Sequence, residues 1–271
     1  MPIEVRKHGM RGPVVAVLHG GPGAQGSAIG LARGLADDFQ VLEPLQRLSG
    51  REPLSVSRHV EDMRVVLPDP VALVGWSWGA MLGLSYAARY PGSVTALALV
   101  GCGTYDPVSR ASIHPAIRER LDPDSWSRLQ HLQGRFASEG SDTDRDGILA
   151  EIADLVEAGS CHELLPDSAP RPGEVVIDAR GHEETWADVL RLQEEGIEPS
   201  RFAAIRSRVL MLHGDVDPHP GPATRDLLRR YLPHLEYVPL ERCGHEPWRE
   251  RHARSPFLRT LRHWLLDEAR C

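Results

Sequence analysis

Gly75-Trp76-Ser77-Trp78-Gly79 is the stretch that decides the fold of this 271-residue chain. It follows an apolar run at 71–74 and precedes a helical pattern rich in small residues at 80–90. A serine with a glycine two positions away on each side lies on a turn too tight for large side chains, and its hydroxyl projects from the carboxyl edge of a sheet. The pattern therefore predicts a nucleophile, whose partners must come from elsewhere in the chain.

Apolar runs alternate with helical patterns over the first hundred residues and again near the end of the chain. The predicted strands lie at 14–18, 40–42, 71–74, 95–100, 209–212 and 235–240. The predicted helices lie at 29–36, 56–66, 80–90, 224–231 and 255–268. This alternation is typical of an α/β protein with a mostly parallel sheet and crossover helices on both faces.

The alternation stops after Gly103, and the following hundred residues are polar, helical and interrupted by prolines. One amphipathic helix is clear there, at 183–195, and Gly196 ends it. We therefore predict one α/β core domain made of residues 1–103 and 204–271. A helical lid, residues 104–203, interrupts this core.

Composition and charge narrow the function classes. With 41% hydrophobic and 25% charged residues, the chain has the composition of a globular protein. A net charge of −7 and the absence of a basic cluster argue against a nucleic-acid partner. The sequence contains no run of about 20 apolar residues and no basic-then-apolar start, so we expect no membrane association and a cytoplasmic location. We expect a monomer or small homo-oligomer that acts on a small molecule.

The four cysteines are too few and too scattered for a disulfide framework, and no Cys-x-x-Cys pair indicates zinc. They are Cys102, Cys161, Cys243 and Cys271. We predict that they are reduced thiols. We also predict that the protein uses neither a metal nor an organic cofactor.

A serine hydroxyl needs a histidine to take its proton, and that histidine needs a carboxylate to orient it. In enzymes with such a serine turn, the partners follow in the order Asp or Glu and then His, each after a strand. Asp215 and Asp217 follow the predicted strand at 209–212, and His245 follows the one at 235–240. We favour Asp217, because Asp215 directly follows a glycine and is typical of a turn residue that bonds its own backbone. The predicted catalytic triad is Ser77, Asp217 and His245.

A tetrahedral oxyanion needs preorganised N–H donors, usually two backbone groups. The amide of Trp78, at the head of the helix after the nucleophile, is the first candidate. The second is the amide of Gly21, in the loop His19-Gly20-Gly21-Pro22-Gly23 after the first predicted strand.

The loop at 19–23, the serine turn at 75–79 and Cys243-Gly244-His245-Glu246-Pro247-Trp248 together resemble the α/β-hydrolase superfamily, specifically its proline iminopeptidase-like branch. The stretch Gln46-Arg47-Leu48-Ser49-Gly50-Arg51 is similar to the Asp-Gln-Arg-Gly-Ser-Gly-Arg-Ser segment of that branch. The chain departs from the branch at three positions, because Trp76 replaces a glycine of the serine turn, while Leu45 and Leu48 replace the aspartate and the first glycine of the segment. The resemblance implies an α/β-hydrolase fold.

The resemblance also implies lid carboxylates that bind the free amine of a substrate. Glu183 and Glu184 are the candidates, although acidic residues at a helix N-terminus are also stabilised by the helix dipole alone. Trp76, Trp186 and Trp248 are candidates for substrate contact. The alternative for each tryptophan is simple buried packing.

Two other motifs point to different functions. The glycines at 21, 23 and 26, followed by Glu43, match the spacing of a dinucleotide-binding fingerprint. Pro22 restricts that loop, however, and the fingerprint leaves the triad unexplained. The acidic stretch at 142–147 resembles the start of a calcium loop, but Ala153 stands where the closing glutamate is required. We interpret this stretch as an exposed acidic turn that caps a helix at 148–157.

These observations predict a serine hydrolase that cleaves a small ester, lactone or amide through an acyl-enzyme. An aminopeptidase of the proline iminopeptidase type is one alternative. A cofactor-free lyase or cyclase is another, because one fold supports several chemistries. A ligand-binding protein without catalytic activity is the third.

Overall fold

A seven-stranded sheet forms the centre of the protein, in a computed structural model that describes residues 2–268. The strand order is β1-β4-β2-β5-β6-β8-β9, and β1 alone in this sheet pairs antiparallel with its neighbour. A separate pair of two-residue strands, β3 and β7, lies outside it. The strands are β1 (Val5–His8), β2 (Val14–Leu18), β3 (Ala24–Gln25), β4 (Gln40–Pro44), β5 (Val71–Trp76), β6 (Val94–Val100), β7 (Val176–Ile177), β8 (Arg208–Gly214) and β9 (Glu236–Leu240).

Helices cover both faces of the sheet. The helices are α1 (Ile29–Leu35), α2 (Val56–Val66), α3 (Trp78–Arg89), α4 (Pro107–Arg118), α5 (Pro123–Ser138), α6 (Asp142–Ser160), α7 (Ala179–Glu194), α8 (Gly221–Arg229) and α9 (Arg254–Glu268), with a 3₁₀ turn at Ser200–Ala204. Successive side chains of β2 point to opposite faces, so Ala16 and Leu18 join the core beneath α2, α3 and α8. Val15 and Val17 join the second core, beneath α1 and α9. The predicted α/β class is confirmed.

The predicted strands and helices of the core are all present, with ends that differ by a few residues. Val14–Leu18 and Val56–Val66 match their predicted bounds, whereas β5 and β8 each extend two residues further toward the carboxyl edge of the sheet. β1 is not among the predicted strands. Its sequence, Val-Arg-Lys-His, carries too few apolar side chains to stand out, and it is recognised as a strand only through its pairing with β4.

The segment between β6 and β8 contains α4, α5, α6, β7 and α7, and its role as a lid stays a prediction. The predicted helix at 183–195 is longer than expected, because α7 begins at Ala179 with Asp178 as its N-cap. The prediction of an acidic turn at 142–147 is wrong. These residues form the first turns of α6, which Ser141 caps, and acidic side chains in a first turn are stabilised by the helix dipole.

Backbone hydrogen bonds join this inserted segment to two loops at the carboxyl edge of the sheet. β7 pairs with β3, and β3 directly follows the loop at 19–23. The amide of Asp178 donates to the carbonyl oxygen of Gly23 at 2.8 Å. At the other loop, the amide of His245 donates to the carbonyl oxygen of Ser160 at 3.1 Å, where α6 ends. The inserted segment therefore helps to position both loops.

Three of the cysteines, Cys102, Cys161 and Cys243, are free and buried. The fourth, Cys271, lies outside the described residues. Over residues 2–268, no helix combines the length and the apolar character that crossing a bilayer requires.

Gly244 provides a test of the junction between α6 and the His245 loop. A Cβ atom at this position would overlap the carbonyl oxygen of Ser160 and lie 2.7 Å from the Cα atom of Cys161. We expect Gly244→Ala to lower the free energy of unfolding by about 1–3 kcal/mol, because backbone rather than a flexible side chain must move. Urea-induced unfolding measures this change.

Gly134→Ala is the matched control. Gly134 lies within α5, and a Cβ atom there would meet no atom within 4 Å. Alanine is the better residue in a helix interior, so this variant should gain about 0.5–1 kcal/mol. Equal stability of the two variants would contradict the close approach at Gly244.

Candidate active site

Ser77 occupies a strained turn between β5 and α3. Its backbone has φ 54° and ψ −120°, a conformation that a residue with a side chain rarely adopts. A Cβ atom on Gly75 would overlap the carbonyl group of Gly79, so the turn requires glycine at position 75. The Ser77 amide donates to the carbonyl oxygen of Val100 at 2.9 Å. The hydroxyl-bearing residue is thereby held at the carboxyl ends of β5 and β6.

His245 lies at the same edge of the sheet. The indole Nε1 of Trp76, the residue before Ser77, donates to the carbonyl oxygen of His245 at 3.0 Å. A Cβ atom on Gly101 would lie 3.0 Å from the ring Nδ1 of His245, so the imidazole rests against the end of β6. Two contacts thus bring the histidine to the serine turn.

Asp217 binds the ring of His245. The distance from His245 Nδ1 to Asp217 Oδ2 is 2.7 Å, and the Asp217 side chain has no exposed surface. Asp215, the other carboxylate considered, instead accepts a hydrogen bond from the amide of Cys243 at 3.1 Å. A hydrogen on Nδ1 directed at Asp217 leaves Nε2 of His245 free to accept a proton.

The charge of this pair is set by burial and by the partners of each group. Burial raises the pKa of Asp217, but His245, His213 and His219 outweigh it and hold the pKa well below the ordinary value. Burial lowers the pKa of His245, but the charge and hydrogen bond of Asp217 outweigh it and leave the pKa raised. Asp217 is therefore ionised at neutral pH, and it strengthens His245 as a base.

Sequence reasoning missed two further histidines that surround Asp217. Both the amide and Nδ1 of His219 contact Asp217 Oδ1, at 2.9 and 3.0 Å. Nε2 of His213 lies 3.3 Å from Asp217 Oδ2 and donates to the carbonyl oxygen of His219 at 2.9 Å. The only signal for His219 was its place two residues after the chosen aspartate, and a loop has no periodicity that would single it out.

The loop at 19–23 lies beside the head of α3. A Cβ atom on Gly79 would overlap the carbonyl oxygen of Leu18 and lie 2.7 Å from that of His19, so the helix approaches the end of β2 closely. Trp78 is the first residue of α3, where backbone N–H groups have no partner within the helix. The two predicted oxyanion donors, Trp78 and Gly21, therefore come from neighbouring segments.

Gln46 joins these two segments, and sequence reasoning assigned it no such role. Its side-chain amide donates to the carbonyl oxygen of His19 at 3.0 Å and accepts from the indole of Trp78 at 2.7 Å. Its backbone amide donates to Nε2 of His19 at 3.1 Å. Nδ1 of His19 must then carry the hydrogen that bonds Gly20, and burial lowers the pKa of His19 to about 4, so this ring is neutral.

A family model for the alpha/beta hydrolase fold matches residues 13–248, which include the serine turn, Asp217 and His245. The chain belongs to the alpha/beta hydrolase family.

Relatives of this alpha/beta hydrolase include the pimeloyl-[acyl-carrier protein] methyl ester esterase of Methylococcus capsulatus. That protein is 35% identical over 98 residues, which are 35% of this chain and 38% of the relative. Among solved structures, an alpha/beta hydrolase from Sphaerobacter thermophilus has a TM-score of 0.60 and 23% identity, over 97% of this chain and 96% of the other. An E-2-(acetamidomethylene)succinate hydrolase has a TM-score of 0.59 and 19% identity, over 97% and 94%. The two solved structures share the fold.

The tryptophans predicted to contact substrate occupy buried or half-buried positions in this hydrolase. Trp248 is 4% exposed and packs edge-on against Trp76, with 5.0 Å between ring centroids. Trp76 also lies 5.5 Å from the His245 ring. Trp186, on α7, packs against the core that contains Trp78. Trp76 thus packs between Trp248 and His245, and the contact of these tryptophans with substrate stays a prediction.

The two glutamates predicted to bind a substrate amine already have cationic partners. Glu183 pairs with Arg145, and its side chain is 48% exposed. Glu184 Oε1 accepts from Nε of Arg180 at 2.8 Å, and its other oxygen accepts from the amide of Leu54 at 2.8 Å. Neither carboxylate is left unpaired to attract an amine.

The glycines of the apparent dinucleotide fingerprint have a different use in this hydrolase. Cβ atoms on Gly23 and Gly26 would overlap or closely approach the carbonyl oxygens of Asp178 and Glu174 in the inserted segment. Glu43, which a ribose would require, is fully buried and lies 2.8 Å from Nε2 of His8. These glycines therefore allow the close approach of backbone from the inserted segment.

Asp217, His219 and His245 carry donor atoms within 4.8 Å of one another, a spacing that a metal ion could bridge. The two imidazole rings are stacked, however, with 4.4 Å between centroids and 18° between planes. A metal lies near the plane of each imidazole that binds it, and two nearly parallel planes share no such point. The geometry therefore fits a hydrogen-bonded cluster rather than a metal centre.

The role of Gln46 can be tested by Gln46→Met, which keeps the size of the side chain and removes its hydrogen bonds. We expect the free energy of unfolding to fall by about 2–4 kcal/mol, because the Trp78 indole and the His19 carbonyl become unpaired and buried. Thermal and urea unfolding measure the loss. Gln40→Met is the control, since that exposed side chain donates to the carbonyl oxygen of Gly12, and it should change stability by less than about 1 kcal/mol.

Proposed function

We propose that this protein is a serine hydrolase that cleaves a carboxylic ester through an acyl-enzyme. Ser77 is the nucleophile, His245 is the general base and acid, and Asp217 orients His245. The observation that carries the proposal is the 2.7 Å hydrogen bond from His245 to a fully buried carboxylate, beside a serine in a strained turn. The proposal is supported by the order of Ser77, Asp217 and His245 in the chain, each after a strand of one sheet, which is the order typical of this chemistry.

In this mechanism His245 Nε2 takes the proton of the Ser77 hydroxyl as its oxygen attacks the ester carbonyl. The carbonyl oxygen becomes an oxyanion, to which the amides of Trp78 and Gly21 donate hydrogen bonds. Collapse of the tetrahedral intermediate breaks the bond to the leaving alcohol, which receives the proton from His245. Water then attacks the acyl-enzyme by the same steps, and it releases the acid and restores Ser77.

An ester is preferred to an N-terminal prolyl peptide for two reasons. The matched relative from Methylococcus capsulatus is named for methyl ester cleavage, although the match covers only 38% of it. The carboxylates that the iminopeptidase resemblance implies, Glu183 and Glu184, are already paired with arginines. A substrate amine would have to compete with those arginines, whereas a neutral ester makes no such demand.

Replacement of the nucleophile gives the first test. We expect Ser77→Ala to lower kcat on p-nitrophenyl butyrate by at least about 10⁴-fold, because the variant lacks the hydroxyl that attacks the carbonyl. Labelling by a fluorophosphonate should be lost in the same variant. Ser112→Ala removes a serine hydroxyl on α4 that donates to the carbonyl oxygen of Ser109 in the same helix, and it should retain both activity and labelling.

The outcomes of this test separate the candidate functions. Turnover of the ester by Ser77→Ala at the wild-type rate would refute the nucleophile. Labelling of Ser77 without turnover of any ester, lactone or amide would favour the lyase or cyclase alternative. Cleavage of proline-naphthylamide in preference to esters would favour the iminopeptidase.

The pH dependence gives a second test, because a general base must be neutral to accept a proton. The pKa of His245 is raised by Asp217, so kcat/KM should fall on the acid side through a pKa above the ordinary value for histidine, about 6.5. In Asp217→Asn the charge is gone and burial remains, so this acid limb should move to lower pH. The kcat of Asp217→Asn should be about 10⁴-fold lower than that of the wild type. An acid limb at the same pH in both proteins would contradict the assignment of His245.

A further inference from the structure

We propose that His219 is a positioning residue that holds the Asp217 carboxylate and adjusts the proton affinity of His245. The proposal rests on the proposed function in one respect, since it takes His245 as the base. It adds a fourth side chain to the site, one that does not touch the reacting atoms. Two independent contacts of His219 carry it.

The first contact is a double hydrogen bond to one oxygen of Asp217. Oδ1 accepts from the backbone amide of His219 at 2.9 Å and from its ring Nδ1 at 3.0 Å. Oδ2 is left for His245 Nδ1, with His213 Nε2 nearby at 3.3 Å. The two oxygens therefore have separate partners, and the carboxylate cannot rotate without breaking the His219 pair.

The second contact is the stack between the His219 and His245 rings. Their centroids are 4.4 Å apart and their planes differ by 18°. His219 is 19% exposed at its side chain, so it covers one face of His245 and separates that face from solvent. A cation placed over an aromatic face is stabilised by the electrons of the ring. The stacked His219 ring therefore favours the imidazolium that His245 becomes during the reaction.

Several other charged or titratable groups face His245. Asp217 and His213 approach from β8 and the loop after it, and Glu246 and Glu250 approach from the loop of His245 itself. Burial lowers the pKa of His213, so that ring is neutral at pH 7. These groups stay in place when His219 alone is changed, so a substitution there isolates its contribution.

The two contacts of His219 shift the pKa of His245 in opposite directions. A hydrogen bond donated to Asp217 Oδ1 draws negative charge away from Oδ2. This weakens the electrostatic attraction between Asp217 and protonated His245. Loss of that hydrogen bond should therefore raise the pKa of His245. The stacked ring stabilises the protonated form, so loss of the ring should lower the pKa. Two substitutions can separate these effects.

His219→Phe keeps a ring over His245 and loses the donor to Asp217. We expect the pKa of His245 to rise by about one unit, the size expected for a hydrogen bond to a charged group. His219→Asn places an amide NH₂ where Nδ1 was and loses the ring. We expect the pKa of His245 to fall by about half a unit. The backbone amide of residue 219 remains in both variants.

The experiment is an NMR titration of the His245 imidazole in wild type and both variants, with the signal assigned by comparison with His245→Gln. The acid limb of kcat/KM on p-nitrophenyl butyrate is measured in parallel. His114→Phe is the matched control, because His114 is an exposed imidazole on α4 that also contacts an aromatic ring, that of Trp126. In His114→Phe, the pKa of His245 should equal the wild-type value.

Opposite shifts in the two variants support the proposal. Titration of His245 in both variants as in wild type overturns it, and so do shifts of the same sign. If His219→Phe does not fold, His219→Asn tests the proposal alone. An unchanged or raised pKa of His245 in His219→Asn then overturns the proposal. The NMR titration needs no substrate. Failure of the proposed function would appear separately, as a wild-type protein that turns over no ester and whose Ser77 resists fluorophosphonate.

Discussion

The site depends on a single buried charge. The side chain of Asp217 has no exposed surface, and an ionised carboxylate removed from water is stable only when hydrogen bonds and opposite charge replace its hydration. The rings of His245 and His219 and the backbone amide of His219 meet this requirement at 2.7 to 3.0 Å, and His213 Nε2 lies 3.3 Å away. The same contacts orient His245. The contacts that stabilise the buried charge of Asp217 therefore also help to orient the base, His245.

The inserted segment is bonded to two loops at the edge of the sheet where this arrangement lies. Its backbone bonds the loop that carries His245, through Ser160, and the loop that follows β2, through Asp178. Glu250 adds a second connection, because its buried carboxylate accepts from the amides of Gly244 and Glu246 and from that of His162 in the inserted segment. The residues on either side of His245 are thus hydrogen-bonded both to the core and to the inserted segment.

Much of the fold was predictable because the chain repeats strand and helix with the periodicities that buried faces require. The strand ends then placed Ser77, Asp217 and His245 on one edge, in the order that favoured a triad. His219 and Gln46 were not predictable in their observed roles. His219 lies in an irregular loop, and Gln46 acts between segments that are 27 and 32 residues away in the chain. Position in sequence carries no information about such contacts.

The sequence by itself determined the sheet, its flanking helices and the sharp turn at Ser77, since these depend on local preferences and on the alternation of apolar residues. Only the tertiary structure decided which carboxylate meets His245, which tryptophans lie in the core and which glutamates are already paired. Those outcomes depend on contacts that the local pattern does not specify, between residues that are 28 apart in the chain for Asp217 and His245, 38 for Arg145 and Glu183, and 169 for Trp76 and His245. Close packing and the pairing of buried charge select one arrangement among many that the local pattern allows.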